Sequence, residues 1–108
     1  MARRIRKVVW TNTAQNTLDE VLTYIAQDSL PAAQRLLETV LDSAESSASF
    51  SERGRIVPEL RQSHIRELLV GRYRLIYEVF DTKVEILGLI HGARDFAKWR
   101  QSLPEGPG

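Results

Sequence analysis

The chain has no cysteine. That absence excludes disulfides and thiolate metal sites and suits a reducing compartment, so the cytoplasm is the expected address. No apolar run approaches the ~20 residues that a membrane-spanning helix requires. The basic opening, Met1 to Lys7, leads only into Val8-Val9-Trp10, without the apolar stretch of a signal peptide. Histidine occurs only at His64 and His91, and neither an HExxH motif nor a phosphate-cradling glycine loop is present. Metal, nucleotide and covalent-nucleophile chemistry therefore lack support, and no cofactor is expected. Lysine is scarce, at positions Lys7, Lys83 and Lys98 only. What remains is a 108-residue chain, long enough for one domain that buries roughly two-thirds of its unfolded surface without staples.

Net charge is +1, but its distribution is uneven. Residues 1–10 carry four bases and no acid, and residues 11–51 carry six acids against Arg35 alone. Residues 52–108 carry ten bases and eight acids. An acidic middle between basic flanks orients binding to an anionic partner, but the total is too small for strong non-specific nucleic-acid binding.

Ile5–Trp10 reads as a first strand. Thr11-Asn12-Thr13 offers capping side chains, Asn12 and Gln15 have capping-box spacing, and Trp10 can staple the entry. Ala14, Leu18, Val21, Leu22 and Ile25 then recur at helical spacing, as do Ala33, Leu36, Leu37, Val40, Leu41 and Ala44. Asp28-Ser29-Leu30-Pro31 separates the two stripes, with proline suited to a first helical turn. The pattern predicts a helical hairpin over roughly residues 13–28 and 31–47. The serine-rich stretch 43–51 reads as a fraying helix end and a loop.

Beyond Gly54 and Pro58 come three strand-like runs, Ile65–Val70, Tyr73–Phe80 and Val84–His91. Gly71-Arg72 is a two-residue connection with glycine where a type II′ turn needs positive φ. Alternation sets Tyr73, Leu75, Tyr77 and Val79 against Arg74, Ile76, Glu78 and Phe80. In the last run it sets Val84, Ile86, Gly88 and Ile90 against Glu85, Leu87, Leu89 and His91. That run is apolar on both faces and is expected at the centre of the sheet. Ala93–Leu103 reads as a short C-terminal helix, and residues 104–108 as a disordered tail. The expected architecture is α+β and two-layered, β-α-α-β-β-β plus the C-terminal helix, with the hairpin on a mostly antiparallel sheet. Leu18, Val21, Ile25, Leu36, Val40, Leu75, Tyr77, Ile86 and Ile90 are the expected core. The sheet's other face is expected to display arginine, from Arg55, Arg61, Arg66, Arg72, Arg74 and Arg94.

Certain residues recur in order along this frame. They are Ala14, Leu18-Asp19-Glu20 and Tyr24-Ile25-Ala26 on the first helix, then Pro31-Ala32-Ala33. Gly54-Arg55 and Val57-Pro58-Glu59 follow, then Arg66-Glu67-Leu68, Tyr73-Arg74-Leu75-Ile76-Tyr77, Ile86-Leu87, His91 and Arg94. In this order, over about residues 5–95, the chain resembles the RelE/ParE superfamily of type II toxin–antitoxin toxins, closer to the ParE-like, plasmid-stabilisation branch. It departs from that pattern where Ser47 and Ser51 stand in place of a leucine and a proline. The resemblance implies a single bacterial toxin domain, residues 1–103, neutralised in a hetero-oligomer by a cognate ParD-like antitoxin. ParE-like members inhibit DNA gyrase; RelE-like members cut mRNA in the ribosomal A site. A non-toxic regulatory or structural partner of the antitoxin is a third reading.

RNA cleavage without metal needs a base, an acid and cations on the developing phosphorane. Glu59, Arg74 and His91 fall where some nuclease members place such groups. Each also has a plain structural role available: Glu59 paired with Arg61 or Arg66, Arg74 with its diagonal neighbour Glu67, and His91 bonded to backbone beside Gly92. The segment Gly92 to Leu103 lacks the tyrosine that nuclease members of this type use, and Phe96 and Trp99 have helical spacing suited to packing. Low net charge and scarce lysine argue for a protein target. The expected function is gyrase inhibition without a catalytic pair, with Arg55, Arg72, Arg74, Arg94, Lys98 and Trp99 as target- or anion-binding residues. Leu22, Ile25, Leu37 and Tyr73 are the expected antitoxin contacts, and mRNA cleavage is the alternative activity.

Overall fold

The computed structural model describes residues 5–102. Strand β1, Lys7–Trp10, leads through Thr11 into helix α1, Asn12–Ala26, followed by α2, Leu30–Ser49. Four strands follow: β2, Arg55–Ile56; β3, Ile65–Val70; β4, Tyr73–Val79; and β5, Lys83–Ile90. Helix α3, Gly92–Ser102, closes the order. One sheet runs β1-β5-β4-β3-β2. The β2–β3, β3–β4 and β4–β5 pairs are antiparallel, whereas β1 lies parallel to β5 with Val8 opposite Val84 and Trp10 opposite Ile86. The α+β architecture read from the sequence is present, with β5 inside the sheet as expected.

Local chemistry sets the element ends. The α1 cap is Thr11 rather than Asn12: its hydroxyl accepts the Ala14 N–H at 3.0 Å and donates to the Ile86 carbonyl at 3.1 Å, so one side chain caps the helix and ties it to β5. Ser29 caps α2 through the Ala32 N–H, with Pro31 in the first turn. Helix α2 runs on through Ser49, beyond its expected end. The buried Ser47 hydroxyl donates to the Ala44 carbonyl at 2.6 Å, and the Ser51 hydroxyl donates to the Ser47 carbonyl at 2.9 Å. These bonds let serine occupy an interior position, so the stretch is ordered helix end rather than fraying loop. At the hairpin Gly71 has φ +60, Arg72 keeps negative φ, and Val70 pairs with Tyr73, which matches the expected turn.

The main core lies between the hairpin and one sheet face. Ala14, Leu18, Val40 and Ala44 pack there on Val70, Leu75, Tyr77, Val84, Ile86 and Leu89. The expected core residues Val21 and Leu36 are half-buried at its margin, and the expected Ile25 on α1 is half-buried too but is not part of this core. The opposite sheet face is not an open arginine surface. There α3 lays Phe96 and Trp99 on Val57, Ile65, Ile76, Leu87 and Ile90 to form a second core. The alternation expected for β5 breaks near its middle. Ile76 pairs with Gly88 but Tyr77 pairs with Ile86, leaving Leu87 as an extra residue. This bulge turns Leu89 toward the hairpin and Ile90 toward α3, the reverse of strict alternation. It also turns Gly88 under the Trp99 indole, where an added Cβ would lie 2.5 Å from Nε1.

Candidate functional site

Two features stand out on this frame. The first is an ionic cluster on the α3 face. Register places Leu69 opposite Arg74 and Glu67 opposite Ile76, so Glu67 and Arg74 are diagonal neighbours. Strand β2 adds Arg55 directly opposite Glu67. The Glu67 side chain has no exposed surface. Its Oε1 accepts from Arg74 Nε at 2.8 Å and lies 2.6 Å from Nη2 in an ion pair, and its Oε2 accepts from Arg55 Nε at 2.5 Å. Arg74 then reaches Glu59 on the turn after β2, with Nη1 to Oε2 at 2.8 Å and Nη2 to Oε1 at 2.6 Å. That is a two-pronged fork onto one carboxylate. The guanidinium also lies over the Phe96 ring, 4.9 Å from its centroid. Bonded so, the Arg74 guanidinium holds the Glu59 carboxyl below its ordinary value of 4.5. Glu59, and after it Glu67, holds Arg74 above its own ordinary value against the opposing effect of burial.

The second feature is an open cleft of about 760 Å³ between α1 and α3, across the ends of β4 and β5. Tyr24, Val21 and Tyr73 give it apolar and aromatic wall, Glu20 and Asp95 carry acid, and Arg72 and Lys98 carry base. The His91 ring lies against Tyr73, with centroids 5.2 Å apart and planes at 49°. Thr17 ties the cleft floor to α1 by accepting the Leu89 N–H at 3.1 Å.

The structure sorts the expected site residues between these places. Glu59 and Arg74 meet each other, whereas His91 lies with Tyr73, which points to the sheet face opposite Arg74. The three do not converge. Glu59 does not pair with Arg61 or Arg66; Arg66 instead donates to the Ser63 and Gly54 carbonyls. Arg55 belongs to the ionic cluster, and Arg72 and Lys98 to the cleft. The Arg94 side chain lies outside the described residues, as does the tail 104–108. Trp99 takes the packing role that its helical spacing suggested and also lines the cleft. It is 4 % exposed and its indole N–H donates to the Leu87 carbonyl at 3.0 Å, so it holds α3 on the sheet. Leu22, Leu37 and Tyr73 are half-buried at the edge of the main core. The hairpin's exposed apolar side chains are Tyr24, Leu30 and Leu41. Leu41 belongs to the second apolar stripe and Tyr24 to the ordered motif, but none of the three was expected as a contact residue. Among the described residues, no group of His, Asp or Glu is placed to hold a metal ion. No described helix is long and apolar enough to cross a membrane.

Such a sheet, with a helical hairpin on one face and a short helix on the other, is also the fold of a chain in the solved structure of the chromosomal ParDE TA system from P. aeruginosa. The two align with a TM-score of 0.66 over 82 % of this chain and 98 % of that one, at 15 % identity. That likeness is one of fold, a small α+β domain with helices on both faces of one sheet. Residues 8–96 match the family model described as ParE toxin of type II toxin-antitoxin system, parDE. The chain belongs to that family. It is also 39 % identical over 89 residues to Toxin RelE2 of Caulobacter vibrioides, an alignment covering 82 % of this chain and 97 % of that protein. Family membership makes the chain a toxin of a type II module and implies an antitoxin partner.

Proposed function

We propose that this toxin works by protein contact, inhibiting DNA gyrase without covalent chemistry, and that a ParD-like antitoxin silences it in the cytoplasm. On this reading residues 1–103 act as one toxin domain. The observation that supports it best is the separation of the three candidate catalytic groups. Glu59 and Arg74 neutralise each other on one sheet face, while His91 sits by Tyr73 on the other. A general acid–base pair has to meet one phosphodiester from two sides, and these groups face apart. The mixed-charge, aromatic-walled cleft with Arg72 and Lys98 suits a protein surface, where aromatic anchors and rim charges set affinity and approach.

The purified protein is to be added to gyrase supercoiling reactions and, separately, to translating ribosomes carrying end-labelled mRNA. Supercoiling should be inhibited and the message left whole. Glu59→Gln and His91→Gln should weaken inhibition by no more than a few-fold, whereas Lys98→Glu and Arg72→Glu should weaken it about tenfold or more. If instead the message is cut in the A site and gyrase is untouched, those neutral replacements should lower cutting by about 10²–10⁴-fold, and the contact mechanism falls.

A further inference from the structure

The fork between Arg74 and Glu59 has the geometry of a bound ligand rather than of a structural brace. Glu59 contributes to no strand. It sits on the turn Val57–Arg61, where the Leu60 and Arg61 N–H groups both donate to the Val57 carbonyl and Arg61 takes a φ of +53. Releasing the Glu59 carboxylate would break no sheet hydrogen bond. Arg74 would stay in place, because the fully buried Glu67 holds its Nε and Nη2 and Phe96 supports its plane. Glu59 itself lines a surface hollow of about 510 Å³ together with Phe96, Ala97 and Arg100. A preformed guanidinium fork over an aromatic ring, with a second cation at the rim, is a carboxylate seat.

We propose that Glu59 is a displaceable internal ligand of Arg74, and that a carboxylate from an acidic segment of the antitoxin takes its seat in the complex. The identity of the occupant rests on the reading that an antitoxin silences this chain, and its acidity on the cations Arg74 and Arg100 at the seat; the seat itself rests on geometry alone. Exchange of one carboxylate for another keeps the cluster neutral. A strand of phosphodiesters would instead run against both Glu67 and the displaced Glu59. Because the open seat is only a fraction of the population, an outside carboxylate binds more weakly than the seat allows, in proportion to that fraction.

The test uses the full-length protein and a hexaglutamate peptide as probe, followed by calorimetry and by the Arg74 Nε resonance. Glu59→Ala should bind the peptide about tenfold or more tightly than the unaltered protein, and the Arg74 resonance should move on binding. Glu38→Ala, which removes an equal charge on exposed α2, should give no comparable gain. Equal affinity for Glu59→Ala and the unaltered protein, or an equal gain with Glu38→Ala, would overturn the proposal. So would a gain for inorganic phosphate that matches or exceeds the gain for the peptide, since the seat would then take phosphate. A single cooperative melting transition in Glu59→Ala confirms that the fold is intact, and Glu59→Gln gives the same comparison with the volume kept. Neither gyrase nor ribosome is present, so failure here leaves the gyrase reading to stand or fall by its own assay.

Discussion

Glu67 is the residue on which the α3 face of the sheet depends electrostatically. Its carboxylate is wholly enclosed and meets Arg55 and Arg74, whose side chains are 64 % and 12 % exposed. The two partners are therefore unequal. Removing Glu67 as Ala leaves Arg74 half-buried beside a lost charge, and should lower unfolding free energy by about 3–5 kcal/mol in urea titrations. Removing the solvated Arg55 as Ala should cost less than about 1 kcal/mol. Glu59 adds a pH dependence of definite sign. Its folded-state carboxyl is held below 4.5, first by the hydrogen bond to Arg74, so its contribution is present above that value and disappears as pH falls through the lower folded value. The gap in urea midpoint between the unaltered protein and Glu59→Gln should be flat near neutrality and close as pH drops below about 4.5. A gap that widened on acidification would contradict the assigned pairing. Of this cluster, the diagonal contact of Glu67 with Arg74 was legible in the sequence, because a two-residue turn fixes register. The bonds from Glu59 and Arg55 were not, since a loop and a two-residue strand carry no periodicity that sets their reach.

At the scale of elements, Trp99 packed over Gly88 helps to hold α3 on the sheet. Gly88→Ala should destabilise by about 1–3 kcal/mol, because its methyl group has to displace an indole that is hydrogen-bonded and buried. Trp99→Ala should cost about 3–5 kcal/mol on its own. Combined with Gly88→Ala the two should be clearly less than additive in a double-mutant cycle, since the clash vanishes with the ring. Full additivity would mean that the helix does not rest where the structure sets it. The hairpins of the fold could be read from the chain because each had its own local signal: apolar stripes broken at Pro31 for α1 and α2, and Gly71-Arg72 for β3 and β4. The β5 bulge had none. A single surplus residue, Leu87, reverses the facing of everything after it, and both Leu87 and its neighbours are apolar, so hydropathy gives the same pattern with or without it. The serine-rich end of α2 misleads in the opposite sense, because polar composition suggests loop where buried hydroxyls bond back to helix carbonyls.

At the scale of the whole molecule, hairpin and α3 cover opposite faces of one sheet, leaving surface function to its margins: the α1–α3 cleft and the Arg74 seat. The direction of β1 was invisible in the sequence because its partner lies far along the chain and only the finished sheet selects it. That distance has a further consequence. The strand translated first lies beside the strand translated last, Lys7 opposite Lys83, and β5 is also the strand that β4 and both cores require. A growing chain on the ribosome therefore cannot complete its sheet until β5 has cleared the exit tunnel, and long-range closure of this kind is slow. Every prematurely terminated copy that stops short of Lys83 is left without a core. The cell that makes this poison thus meets its folded form only once β5 has been made.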